Sequence, residues 1–97
     1  GVINVGGDKV YPEEIENVLL KHPLVASVKV YAKANPITGS LVAADVILVD
    51  SKTNSKEASK ILREYNSKIL ERHKTLAMIK IVPRFDLNSS GKIARDL

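Results

Sequence analysis

The sequence contains no cysteine. That excludes disulfides, thiolate nucleophiles and cysteine-ligated metal centres. Tryptophan is also absent, and the aromatics are limited to Tyr11, Tyr31, Tyr65 and Phe85, too few for a base-stacking platform. The two histidines, His22 and His73, lack a carboxylate at ligand spacing, so no structural metal is expected. No apolar run approaches the roughly 18 residues that a membrane helix needs. The longest, Leu41 to Ala44 and Val46 to Val49, is interrupted by Asp45 and reads as a buried strand.

What is present is an ordinary globular balance, 44% apolar and 27% charged, over 97 residues. One compact domain fits this length and two do not. A chain of this size buries about 60–65% of its unfolded surface, enough for a single modest core. The net charge of +4 permits a phosphate-bearing partner but, spread along the chain, fits a solvated surface equally well. The chain opens at Gly1 and runs straight into Val2-Ile3-Asn4-Val5 with no leader-like segment. The expectation is a piece of a larger protein, although a trimmed tag gives the same start.

The order of elements follows from punctuation and periodicity. Val2 to Val5 and Lys9 to Tyr11 flank Gly6-Gly7-Asp8, which predicts a hairpin or tight loop. Pro12 to His22 predicts a helix. Its proline sits at the first position, Glu13, Glu14 and Glu16 lie near the positive end of the dipole, and Ile15, Val18 and Leu19 form one face. Pro23 stops it. Val25 to Lys33 alternates, with Val28, Val30 and Ala32 on one side and Ser27, Lys29, Tyr31 and Lys33 on the other. Asn35-Pro36-Ile37-Thr38-Gly39 is turn chemistry, and Leu41 to Val49 predicts a central strand. Asn54 with Glu57 resembles a capping box opening a helix to about Arg72, with Ala58, Ile61, Leu62, Tyr65 and Ile69 on its apolar face. Met78 to Val82 is a last short strand, closed by Pro83, and Asp86 to Lys92 is an exposed loop. The fold class is therefore α+β: a small sheet of about three main strands with helices against it, preceded by a short β-hairpin.

Three features could carry chemistry. Two are flexible loops that each hold a cation, Gly6-Gly7-Asp8-Lys9 and Ser89-Ser90-Gly91-Lys92; the third is Arg95 just beyond. Lysines on such loops suit electrostatic work on phosphate or carboxylate oxygens. Either loop alone reads more readily as a plain solvent-exposed turn. No nucleophile–base pair is evident, because the histidines lack partners and the carboxylates lie on helix faces.

The two loops together resemble a known family. Gly6-Gly7-Asp8-Lys9-Val10-Tyr11-Pro12-Glu13-Glu14-Ile15-Glu16, followed by His22-Pro23-Leu24-Val25, is similar to the start of the mobile C-terminal domain of adenylate-forming enzymes. These are the acyl-CoA synthetases, the adenylation domains of nonribosomal peptide synthetases, and the luciferases. Gly39 leading into Leu41-Val42-Ala43-Ala44 resembles the family's central strand, and Ser90-Gly91-Lys92-Ile93-Ala94-Arg95 its terminal catalytic-lysine motif. The resemblance spans essentially the whole chain. It departs at Asp86, Asn88 and Leu76, where the family commonly has proline, threonine and a nearby proline, and it leaves Gly91-Lys92 intact.

The resemblance implies two half-reactions. A carboxylate attacks the α-phosphate of ATP, accompanied by Mg, to give an acyl-adenylate and pyrophosphate. A thiol, from CoA or a carrier-protein pantetheine, then displaces AMP. It further implies that residues 1–97 are one swinging domain whose N-terminal ATP- and acid-binding partner and hinge lie upstream. In this scheme Lys92 is catalytic in adenylation, and Gly6, Gly7, Asp8 and Lys9 line the CoA or pantetheine channel. Gly91 and Arg95 support the loop; Lys9 remains equally a surface lysine. The expected activity is that of a cytoplasmic AMP-forming ligase for a carboxylic (fatty) acid, with the isolated domain inactive and no nucleic-acid partner. Two other readings stand beside it: a carrier-protein ligase, and a small nucleic-acid-binding α/β module prompted by the element order and the pI near 9.4.

Overall fold

The computed structural model describes residues 1–37, 39–71 and 74–85. Two three-residue strands, β1 (Ile3–Val5) and β2 (Asp8–Val10), form an antiparallel hairpin in which Val5 faces Asp8 and Ile3 faces Val10. Helix α1 (Pro12–Leu20) begins directly after it, with Pro12 in the first turn and Tyr11 at the N-cap. The proline loses nothing there, since the first amide has no helical acceptor.

Helix α1 stops at Leu20, one residue short of Lys21 at its C-cap. His22, expected in the helix, lies outside it. Its Nδ1 accepts a hydrogen bond from the Leu24 N–H at 3.1 Å, and its ring meets Tyr65 edge-on at 4.8 Å. Pro23 disfavours helical backbone at the residue before it, and the imidazole satisfies an amide that the turn would leave unpaired.

Three longer elements follow. Strand β3 (Val25–Asn35) pairs antiparallel with β4 (Gly39–Leu48); helix α2 (Ser55–Ile69) crosses over; and β5 (Met78–Ile81) returns parallel to β4. The sheet order is β3-β4-β5, so the most continuously apolar strand is central, as its composition predicts. The α+β class, the hairpin and the three main strands all stand as expected.

Two further expectations are corrected. The alternation in β3 carries Val30 into the core but leaves Val28 half-buried and Ala32 exposed. A register shift between Val25 and Ser27 lets Val25 and Val28, three residues apart, both turn towards the core side. In α2 the buried residues are Ala58, Leu62 and Asn66, with Tyr65 packed beside them, whereas Ile61 and Ile69 are exposed. The packed stripe is narrower than the apolar periodicity implied. Asn66 enters it because its Nδ2 donates to the Lys74 carbonyl at 3.2 Å, which ties the α2–β5 connection to the helix. Its Oδ1 has no partner among the described residues. The α2 N-terminus is as predicted: Asn54 Oδ1 accepts from the Glu57 N–H at 2.9 Å.

The core lies between the helices and one sheet face, where Val30, Val42, Ala44, Val46 and Leu48 meet Ile15, Leu19, Ala58 and Leu62. Edge strand β3 is partly sealed by α1, whose Glu16 Oε2 accepts from the Val30 N–H at 2.8 Å. Among the described residues no helix is long and apolar enough to cross a membrane.

Candidate functional site

The hairpin loop is built on a fixed base. Ile3 and Val10 are buried in the core, so the β1–β2 turn projects from an anchored pair of strands. Gly6 and Gly7 both have positive φ, +57° and +94°, the backbone pattern of a two-residue type I′ turn. Any other L-residue there would be strained by about 1–2 kcal/mol. A Cβ added at either glycine would meet nothing within 4 Å. Packing inside the described domain therefore does not require glycine; the backbone conformation does. Asp8 and Lys9 are exposed on β2, with Lys9 paired opposite Asn4.

Lys92, Gly91 and Arg95 lie outside the described residues, as do the departures at Asp86 and Asn88. What is described is the path that leads towards them. The Val82 N–H donates to the Val46 carbonyl at 2.9 Å, extending the β5 ladder by one residue. Three residues later, Phe85 lies beneath the Lys29 ammonium, with Nζ 5.7 Å from the ring centroid. Lys29 belongs to β3, at the sheet edge away from β5, and strand alternation places it on the face opposite Val30.

That side of the sheet is the one the helices do not cover. It presents Lys29, Asp45 and Lys80 as one row of paired positions, and Tyr31, Ala43 and Met78 as the next. The Tyr31 hydroxyl donates to Asp45 Oδ1 at 2.8 Å. Burial, reinforced by the hydrogen bond to Asp45 and by its charge, pushes the Tyr31 phenol up from 10.0 to about 12. Ala43 is buried even on this side, between Tyr31 and Met78.

A second polar cluster ties α1 to the connection that follows α2. Lys74 Nζ sits 3.1 Å from Glu14 Oε1 and 3.5 Å from Glu71 Oε1. The hydrogen bond to Glu14 raises the Lys74 pKa above its usual value, against a smaller opposing effect of burial. Neither cluster was singled out from sequence. Tyr31 and Asp45 both occupy non-core positions of alternating strands, but only the register brings them together.

Two grooves are described. One of about 580 Å³ runs beside α2 and is lined by Lys56, Lys60, Arg63 and Thr75 among others. The other, about 260 Å³, lies at the end of β4 between Ile47 and Pro83. Neither is lined by Gly6, Gly7, Asp8 or Lys9. No group of three or more His, Cys, Asp or Glu able to hold a metal occurs among the described residues.

A small mixed sheet with two helices, carrying a glycine hairpin, defines an α+β domain. The chain belongs to the family described as the AMP-binding enzyme C-terminal domain, whose model matches residues 14–92. It is 33% identical to the acetyl-coenzyme A synthetase of Rubrobacter xylanophilus over 94 residues, covering 97% of this chain and 15% of that protein. Its fold matches an acyl-CoA synthetase of Brucella canis with a TM-score of 0.84 and 32% identity, over 98% of this chain and 18% of the other. It also matches the o-succinylbenzoate CoA synthetase of Bacillus subtilis, solved with its acyl-adenylate intermediate (TM-score 0.76, 32% identity, 97% and 18% covered). The chain therefore spans less than a fifth of the length of these relatives.

Proposed function

We propose that this chain is the mobile C-terminal domain of an AMP-forming acid–CoA ligase. It supplies Lys92 to acyl-adenylate formation and the Gly6-Gly7-Asp8-Lys9 hairpin to thioester formation. The observation that carries the reading is the extent of the likeness: nearly the whole chain aligns with acyl-CoA synthetases, and the two cation-bearing loops stand at its two ends.

In the first half-reaction a carboxylate oxygen bonds to the α-phosphorus of ATP and pyrophosphate leaves. Two anions approach one another, and charge accumulates on the oxygens around phosphorus. A cation delivered there acts mainly on the transition state, the role proposed for Lys92. Gly91 lets its loop enter a crowded site, and Arg95 anchors it. In the second half-reaction the CoA sulfur bonds to the acyl carbon, the bond to AMP breaks, and the thiol proton passes to solvent. The hairpin faces the site in that step. Its exposed glycines, open to any approach, fit a surface against which a pantetheine arm slides, and Lys9 stands ready for an anionic group. ATP travels with Mg in this scheme, and the described residues give Mg no ligand cluster.

The relatives' names favour CoA over a carrier protein as acceptor, and a ligase over a nucleic-acid-binding module. A carboxylic acid, with a fatty acid as the leading candidate, and a cytoplasmic setting where ATP and CoA are available complete the proposal. The nucleotide and the acid are held by a larger N-terminal domain across a hinge upstream, so residues 1–97 alone are inactive.

The test is acid-dependent ATP–pyrophosphate exchange by the full-length parent, with Lys92→Ala alongside. Loss of a preorganised charge stabiliser predicts a fall of about 10²–10³ in the mutant. Thioester formation from supplied acyl-adenylate and CoA should persist. Equal exchange by both proteins would remove Lys92 from the reaction.

A further inference from the structure

Helix α1 is fastened by polar contacts at both of its ends, and the proposed function uses neither. At the C-terminal end, His22 Nδ1 accepts from the Leu24 N–H and the imidazole meets Tyr65 of α2 edge-on at 4.8 Å. At the N-terminal end, Lys74 reaches Glu14 in the first turn. Its Nζ lies 3.1 Å from Glu14 Oε1 and 3.2 Å from Oε2, so the ammonium straddles the carboxylate. The Lys74 side chain is 19% exposed and that of Glu14 41%, so water and salt screen the pair less than a fully exposed one. The Lys74 backbone is held as well. Its N–H donates to the Glu71 carbonyl at 2.8 Å, and its carbonyl accepts from Nδ2 of the fully buried Asn66 at 3.2 Å. Three residues on, the Ala77 N–H donates to the Val42 carbonyl of the central strand at 2.9 Å.

Glu14 stands at the joint between hairpin and helix. Its N–H donates to the carbonyl of Tyr11, the N-cap, at 3.0 Å, and Tyr11 directly follows Val10, the last residue of β2. Within the hairpin, Ile3 and Val10 are buried as one cross-strand pair, and Val5 packs beside them. That attachment is apolar and non-directional. A charge-assisted hydrogen bond has a direction, so it fixes how the joint is turned as well as how deep it sits. We propose that Lys74 is a positioning residue for thioester formation: by holding Glu14 against the α2–β5 connection, it sets the angle at which the Gly6-Gly7-Asp8-Lys9 turn leaves the domain. The inference rests on the role of that turn proposed above. Misplacing reacting groups by about 1 Å can cost about 10²-fold in rate. The turn guides an arm and does not react, and an ion pair of this exposure favours one conformer by about two- to fivefold.

The experiment uses the full-length parent with Lys74→Met, Glu14→Gln, their double variant, Lys74→Arg, Tyr65→Leu and Gly7→Ala. Lys74→Met and Glu14→Gln should each slow thioester formation from supplied acyl-adenylate and CoA by about two- to fivefold. Acid-dependent ATP–pyrophosphate exchange should be unchanged in both. The double variant should be no slower than the slower single, because both remove one contact. Lys74→Arg keeps a cation on Glu14 and should keep the rate. Tyr65→Leu breaks the fastening at the other end of α1. It should lower the urea midpoint without separating the two half-reactions, which distinguishes positioning from stability. Four results overturn the proposal: thioester formation unaffected by Lys74→Met, equal slowing of both half-reactions in that variant, additive losses in the double variant, or selective slowing of thioester formation by Tyr65→Leu. Gly7→Ala separates the two readings. Thioester formation that ignores Gly7→Ala removes the role of the hairpin and the positioning role with it. Thioester formation that slows in Gly7→Ala but ignores Lys74→Met removes the positioning role alone.

Discussion

The two sides of the three-stranded sheet are made by the same strands and do different work. Towards the helices, Val30, Val42, Ala44, Val46 and Leu48 are buried together with side chains of α1 and α2. Away from them, Lys29, Tyr31, Asp45 and Lys80 line a surface on which polar groups meet one another and the returning chain. Strand alternation separates the two roles at every second residue. Substitutions on one side can therefore leave the other largely undisturbed.

The sharpest way to test this division is on the packed side. Leu62 is fully buried, so Leu62→Ala should cost about 2–5 kcal/mol of stability in a urea titration. Ile61, its exposed neighbour on the same helix, should lose less than about 0.5 kcal/mol on truncation. Similar losses at both sites would show that α2 packs along a different stripe.

The hairpin falls between the extremes. Gly7→Ala should cost about 1–2 kcal/mol, all of it backbone strain, because a Cβ there meets nothing within 4 Å. A larger loss measured on the domain alone would reveal a contact inside it. A loss of thioester formation out of proportion to stability would locate the requirement for glycine in the assembled enzyme.

The smallest effect belongs to the uncovered side. The Tyr31 phenol is raised from 10.0 to about 12, so its contribution is intact below pH 10 and is lost as pH rises towards 12. Spectrophotometric titration should show one late phenol that vanishes in Tyr31→Phe and titrates earlier in Asp45→Asn. At pH 7 Tyr31→Phe should lose about 0.5–1.5 kcal/mol, the contribution of its hydrogen bond to Asp45. No loss at pH 7 would show that this hydrogen bond adds nothing to the fold.

Legibility in the sequence divides along similar lines. Pro12, Pro23 and the Asn54–Glu57 pair marked helix boundaries, because each acts on backbone within a few residues of itself. The continuous apolar strand marked the sheet centre. The glycine pair marked a turn, and its positive φ values agree. By contrast, the burial of Asn66 depends on a carbonyl eight residues away, and its neighbours Ile61 and Ile69 look the better core residues by type. The Tyr31–Asp45 bond depends on strand register, and the extra residue between Val25 and Ser27 defeats simple counting along β3.

The sequence by itself determined which of the described segments are helix and strand, and that the first loop joins a glycine turn to a cation. All of these depend on local backbone chemistry or on hydrophobic periodicity. Only the tertiary structure decided that β5 runs parallel beside β4, that Asn66 and not Ile61 enters the core, that Lys74 joins α1 to the α2–β5 connection, and that Phe85 is met by Lys29. Each of these brings together groups distant in the chain, and their meeting is set by register and packing, which no single stretch of residues specifies.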